Sequence, residues 1–243
     1  ARRILADCES LHQEASELRA GLVGRLRIGA IPTTLPMVAL LTGPFAERHP
    51  LVTITVLSMP SIEIQRGIDD FSLDAGLTYL DNEPLANVQT TALYRERYFL
   101  FTPADGPFRE RDAVTWREAA TLPLCLLTPD MQNRRIVNAI FSAVQVEIRP
   151  PFETNSVLTL WSYLQTGLWS SVLPQTFLYA LGEPPGCRVV QLVEPEATHA
   201  IGLVIPDREP LTPSARELAK IAASVDLAVI LDRPFATGSR LAL

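Results

Sequence analysis

Four short polar side chains stand where this chain could do chemistry: Thr33, Thr34, Thr128 and Asn155, the last followed by Ser156. Each falls where an apolar, strand-like run gives way to a helix start. Free backbone N–H groups and the positive end of a helix dipole meet at such junctions. Hydroxyl and amide side chains there can bind an anionic small molecule jointly with the backbone. Ile31 and Trp169 are apolar neighbours able to wall such a ligand. The same residue types also cap helices without any ligand, contributing about 0.5–2 kcal/mol, so they point to binding only as a group.

Other chemistry finds little footing. His12, His49 and His199 are far apart, and none pairs with a Cys or a carboxylate at metal-ligand spacing, so no metal is expected. Asp69-Asp70 and Glu194 with Glu196 read as solvated loop carboxylates rather than an acid-base pair. Arg134 and Arg135, in the first turns of the helix after Thr128, could add positive charge near an anion but read more readily as a solvated helix face. No GxSxG, HExxH, GxGxxG or phosphate-loop pattern occurs, so no catalytic constellation and no cofactor are expected. Cys8, Cys125 and Cys187 are odd in number and lack CxxC spacing, which argues for structural thiols over a disulfide framework or a zinc site. The net charge is −6 and Lys220 is the only lysine, so these residues by themselves make a poor nucleic-acid binder.

The elements that must position the polar residues follow from periodicity. Ile4, Cys8, Leu11, Ala15, Leu18 and Leu22 recur at alternating spacings of four and three, one stripe of a helix that pairs with another helix, most simply a second copy of itself. Arg25 to Ile31 reads as a strand. Thr33-Thr34-Leu35-Pro36 opens a helix with Leu40, Leu41 and Phe45 on one face, and Val52 to Met59 alternates as a second strand. A short helix over 61–68 and a strand over 73–80 complete a β-α-β-α-β order, the mark of a parallel sheet covered by helices.

A second set of units follows, with Thr128-Pro129 opening a long helix to about Val144, a strand over 169–173, and Thr212-Pro213 capping a final amphipathic helix. Tyr98 to Pro103 and Ile201 to Pro206 both end an apolar strand in proline. Two such crossings let the chain leave one lobe, build another and return. The expected organisation is a linker helix over 1–22, one subdomain from 23–101 and 206–243, and a second from 102–205. The fold class is α/β, two Rossmann-like subdomains joined by a hinge with a cleft between them. With 47% hydrophobic residues but no uninterrupted apolar run of membrane-spanning length and no signal-peptide architecture, the chain is expected to be soluble, cytoplasmic and without a membrane partner. It opens mid-helix without an initiator Met and so reads as a piece of a longer polypeptide.

In order and spacing, Gly24-Arg25-Leu26-Arg27-Ile28-Gly29-Ala30, Leu35-Pro36 with Phe45 and Arg48-His49-Pro50, Leu73-Asp74-Ala75-Gly76-Leu77, and Gly167-Leu168 followed by Val172-Leu173-Pro174 resemble the LysR-type transcriptional regulators across nearly the whole chain. The resemblance implies a type 2 periplasmic-binding-protein-like fold that senses a small effector, and a linker helix that forms a homodimer or tetramer. It also implies DNA contact only through an N-terminal winged helix-turn-helix that these residues do not include. Thr33, Thr34, Thr128 and Asn155 occupy the loops that line the effector cleft in that family. Where many members place small residues after the glycine turn, this chain has Trp169-Ser170-Ser171, which bears on the shape of the ligand. A solute binder or a small carboxylate-processing enzyme of the same two-lobed shape is the alternative.

Overall fold

The computed structural model describes residue 8, residues 21–208 and residues 210–232. Apart from Cys8, the seam positions from Ile4 to Leu18 lie outside the described residues, as does the segment after residue 232. By its internal contacts the chain divides into two units: residues up to Arg95 with His199–Ala228, and Glu96–Thr198 with residues from Val229 onward.

The first unit begins as its alternation of strands and helices requires. Strand β1 (Gly24–Ala30) leads into helix α1 (Leu35–Arg48), β2 (Val52–Ser58), α2 (Ser61–Asp69) and β3 (Ala75–Tyr79). β1 runs parallel to both β2 and β3, with Gly24 opposite Val52 and Ile28 opposite Ala75. Leu26, Ile28 and Leu77 from the strands, Leu41 and Phe45 from α1, and Ile64 from α2 are fully buried. Each such side chain contributes about 1.5–3 kcal/mol by leaving water.

The long strand β4 (Val88–Pro103) starts in the first unit and ends in the second. In the second unit follow β5 (Ala113–Thr115), α3 (Trp116–Ala119), β6 (Cys125–Leu127), α4 (Gln132–Ala143), β7 (Phe152–Thr154), α5 (Val157–Leu164), β8 (Ser171–Pro174), α6 (Gln175–Leu181) and β9 (Cys187–Val193). The end of β4 pairs antiparallel with β8 and with β9, and β9 runs parallel to β5. β6 and β7 form a separate parallel pair with Cys125 opposite Phe152. Phe101, Cys125, Leu127, Leu160, Leu164 and Leu173 centre its core.

The return strand β10 (Thr198–Pro206) closes the first sheet, whose order is β2-β1-β3-β10-β4, and lies antiparallel to β3 with Leu203 opposite Leu77. Helix α7 (Pro213–Ser224) packs on α1, with its Leu218 and Ile221 buried, and α8 (Leu227–Leu231) follows. Thr212 caps α7 as its sequence suggests, accepting from the Ala215 amide at 3.3 Å.

Three local expectations need correcting. The sheets are not wholly parallel, because β4 and β10 carry the chain between units and meet their neighbours head to tail. Thr128-Pro129 does not open a helix, since α4 starts at Gln132 with Met131 in the capping position. Arg134 is not on a solvated face: it is 4% exposed.

Candidate functional site

In the second unit the parallel pairing of β6 and β7 sets their carboxyl ends side by side. The Thr128 amide donates to the Thr154 carbonyl at 3.0 Å, and the Thr128 carbonyl accepts from the Met131 amide at 3.0 Å. The loop after β6 and the loop after β7 are therefore tied directly, which brings Thr128 and Asn155 together. Asn155 is exposed and does not cap α5. That role falls to Ser156, whose hydroxyl accepts from the Thr159 amide at 3.3 Å while its own amide donates to Thr154 Oγ1.

The Thr128 hydroxyl is buried and has no hydrogen-bond partner among the described residues. A buried, unsatisfied hydroxyl costs about 1–3 kcal/mol, and a helix cap would have relieved it. Nothing among the described residues uses this group.

The other face of the loop is held by arginines. Arg134, the third residue of α4, reaches back so that Nη1 donates to the Leu127 carbonyl at 2.6 Å and to Glu153 Oε1 at 2.7 Å, while Nε donates to Asn138 Oδ1 at 2.8 Å. Arg135 Nη1 donates to the Asp130 carbonyl at 2.6 Å. Sequence reasoning singled out Arg134 but favoured a solvated helix face over a place at the strand end. Its only signal was its place in the first turn of a helix next to a strand end, where a long side chain can fold back on the loop.

In the first unit, the loop after β1 carries Ile31, Thr33 and Thr34. The Ile31 amide donates to the Leu77 carbonyl at 3.1 Å. Thr34 occupies the capping position of α1, yet its hydroxyl donates to the Ile31 carbonyl at 3.0 Å rather than accepting from the helix. Thr33 and Thr34 are 1% and 0% exposed, and Ile31 is equally buried.

Trp169 is not brought to Thr128 and Asn155. The parallel bridge between Leu124 and Ser170 sets it level with the entrance of β6, five residues from Thr128, or roughly 16 Å along the strand direction. Its indole packs instead against Phe152 and Tyr163, each with a ring centroid 6.1 Å away. Apolar area finds more partners there than at a polar strand end.

The two buried thiols, Cys125 and Cys187, are shielded from reaction. Burial pushes the Cys125 thiol up to about 12 and, with the nearby Glu183 charge, raises that of Cys187, whose Sγ donates to the Leu164 carbonyl. Among the described residues no group of three or more His, Cys, Asp or Glu could hold a metal ion, and no helix is long and apolar enough to cross a membrane.

With this geometry in hand, the family model of the LysR substrate binding domain matches residues 19–230. The chain belongs to that family. The LysR substrate-binding domain is a type 2 periplasmic-binding-protein-like α/β fold, the effector-binding part of LysR-type regulators. The nitrogen assimilation regulatory protein nac of Escherichia coli strain K12 is 23% identical to it over 239 residues, covering 96% of this chain and 76% of that regulator. The curated relatives it matches include one of which it spans only 60%. Among solved structures, the reduced OxyR regulatory domain of Pseudomonas aeruginosa superposes with a TM-score of 0.70 at 20% identity, covering 84% of this chain and 98% of that one. The CcmR regulatory domain of Synechocystis PCC6803, in complex with 2-PG, superposes with a TM-score of 0.73 at 16% identity over 84% of this chain and 97% of that one. These likenesses show a shared LysR regulatory-domain fold.

Proposed function

We propose that this LysR substrate-binding domain senses a small anionic metabolite. The candidate contacts are Thr33 and Thr34 with Ile31 as apolar wall in the first unit, and Thr128 and Asn155 in the second, each unit taken by itself. The family match over residues 19–230 carries the reading. The unpartnered Thr128 hydroxyl supports it locally, because a ligand supplies the partner the fold withholds. The bound state is read out at DNA, in the cytoplasm, through an N-terminal winged helix-turn-helix and a linker-helix oligomer of the intact regulator. Binding proceeds without turnover of the ligand. That the OxyR relatives include an H2O2-bound structure does not transfer to a thiol mechanism here, since Cys125 and Cys187 are buried and held protonated.

The test is a thermal-shift screen of small organic acids and inorganic anions. A ligand that binds only the folded chain stabilises it by RT ln(1 + [L]/Kd), about 2.7 kcal/mol at a hundredfold excess over Kd. A hit should lose affinity in Thr33→Val and in Thr128→Val while both variants stay folded. A hit whose calorimetric affinity is unchanged in both variants removes these residues from the site, and chemical conversion of the ligand reverses the non-enzymatic reading.

A further inference from the structure

We infer that the open edge of strand β2 is a self-pairing surface, along which a second copy of this chain lays its own β2 antiparallel about a two-fold axis at Thr55. β2 ends the first unit's sheet, with β1 on one side and, among the described residues, no strand on the other. Edges of this kind are ordinarily blunted by a lysine, a proline or a bulge. Here the run from Leu51 to Met59 holds no charge and no proline, and its register with β1 passes from Gly24 opposite Val52 to Ala30 opposite Ser58 without a bulge. Val56 and Leu57 are 39% and 42% exposed, and Leu51, just ahead of the strand, is 60% exposed.

The backbone decides how a partner strand can add. The Met59 amide donates to the Ala30 carbonyl at 3.0 Å, so alternation turns the odd positions of β2 toward β1 and sets the amides of Ile54, Val56 and Ser58 on the open edge. The Val52 amide donates to the His49 carbonyl at 3.1 Å, which leaves the Val52 carbonyl to accept. A two-fold at Thr55 places Ile54 opposite Val56, and Val52 opposite Ser58, of the second copy. Each open amide then meets a carbonyl. Thr55 faces Thr55 and Thr53 faces Leu57, so no like charges are brought together. The same register carries Leu51 of the second copy to Met59, on the face where Leu57 lies opposite Gly29. Leu57, Met59 and Leu73 give apolar walls to a cavity of about 260 Å³ there, with Glu63, Arg66 and Asp70 lining the rest. A second copy is the occupant specified by a neutral strand that complements itself and carries its own apolar side chain to this cavity. A charged partner finds no opposite charge along the strand.

Pairing at Thr55 has a signature specific to its register. In a Cys8→Ser background, Thr55→Cys should form an interchain disulfide under mild oxidation with copper phenanthroline, because directly opposed antiparallel residues bring their Cβ atoms to about 4.5–5.5 Å. Thr53 is exposed on the same face of the strand. Thr53→Cys should cross-link at least tenfold less, since its two copies stand four residues apart, roughly 13 Å. Thr55→Lys sets two ammonium groups against each other and should lower the association constant at least tenfold in sedimentation equilibrium, with Tm unchanged. Association through the linker helix is common to both chains, so their difference reports the edge alone.

Equal cross-linking at positions 53 and 55, or none at 55, overturns the self-pairing. So does an average mass that Thr55→Lys leaves unaltered up to about 0.5 mM chain, where even weak contacts populate. Neither measurement uses a ligand, so their failure leaves the effector reading standing, and a failed ligand screen leaves the edge pairing standing.

Discussion

Arg27 and Asp74 are joined through both backbone and side chain: the Arg27 amide donates to Asp74 Oδ2 at 2.8 Å, its Nε donates to the same oxygen at 3.2 Å and its Nη2 to Oδ1 at 3.3 Å. The Asp74 amide in return donates to the Arg27 carbonyl at 2.9 Å. This knot fixes the register in which β3 meets β1, and so the height at which the Ile31–Thr34 loop leaves the sheet. Asp74 is 7% exposed, so Asp74→Ala removes an acceptor that serves the Arg27 amide and guanidinium together. A loss of about 2–4 kcal/mol is expected in urea unfolding, and a loss below about 1 kcal/mol would show the knot to be incidental.

Gly76 tests the packing on the same strand. A Cβ there would stand 2.3 Å from Ile64 Cγ2 and 3.0 Å from Val204 Cγ2, both held in a filled core. Gly76→Ala is expected to cost about 1–3 kcal/mol through overpacking. Pairing it with Ile64→Ala, which removes the overlapping Cγ2, should cost less than the sum of the two single losses in a double-mutant cycle.

Thr128→Val separates capping from binding without any ligand. Because the hydroxyl is buried and unpaired, replacing it with a methyl group should leave stability unchanged or raise it by up to about 1 kcal/mol. A drop of that size or more in the unfolding midpoint energy would mean the hydroxyl has a structural partner.

The buried thiols set an alkaline limit. Their raised folded-state values mean that the folded chain holds these protons more tightly than the unfolded chain, whose thiols ionise near about 8.5. The stabilisation is full below that pH and is lost as pH climbs toward about 12 for Cys125. Stability should therefore fall above about pH 8.5, and Cys125→Ala should flatten the decline. Iodoacetamide at neutral pH should label the exposed Cys8 and spare Cys125 and Cys187 in the native chain, as read by peptide mass spectrometry.

Acid works through Glu118, whose carboxylate accepts from the Thr115 amide at 2.8 Å and from the Thr115 hydroxyl at 3.0 Å in a capping box. The Thr115 backbone and hydroxyl bonds, with Arg111 nearby, hold its carboxyl below the usual range. A depressed folded value contributes stability above the ordinary glutamate pKa and loses it as pH falls through the folded one. Glu118→Gln should remove that part of the acid dependence in unfolding curves taken across the range.

The order of strands and helices, the Thr212 cap, the apolar faces of α1 and α7 and the likeness to the LysR regulators are written in local periodicity and short motifs. Periodicity records which side of each residue must leave water, and that is enough to lay out β1 through β3 and the strands that end in proline. It does not record which distant group a buried side chain will meet. Only the tertiary structure placed Trp169 among Phe152 and Tyr163, turned the Thr34 hydroxyl back to Ile31, left the Thr128 hydroxyl unsatisfied and drew Arg134 inward to the ends of β6 and β7. Those outcomes depend on strand register and on contacts between residues far apart in sequence, where a shift of one position exchanges an inward side chain for an outward one.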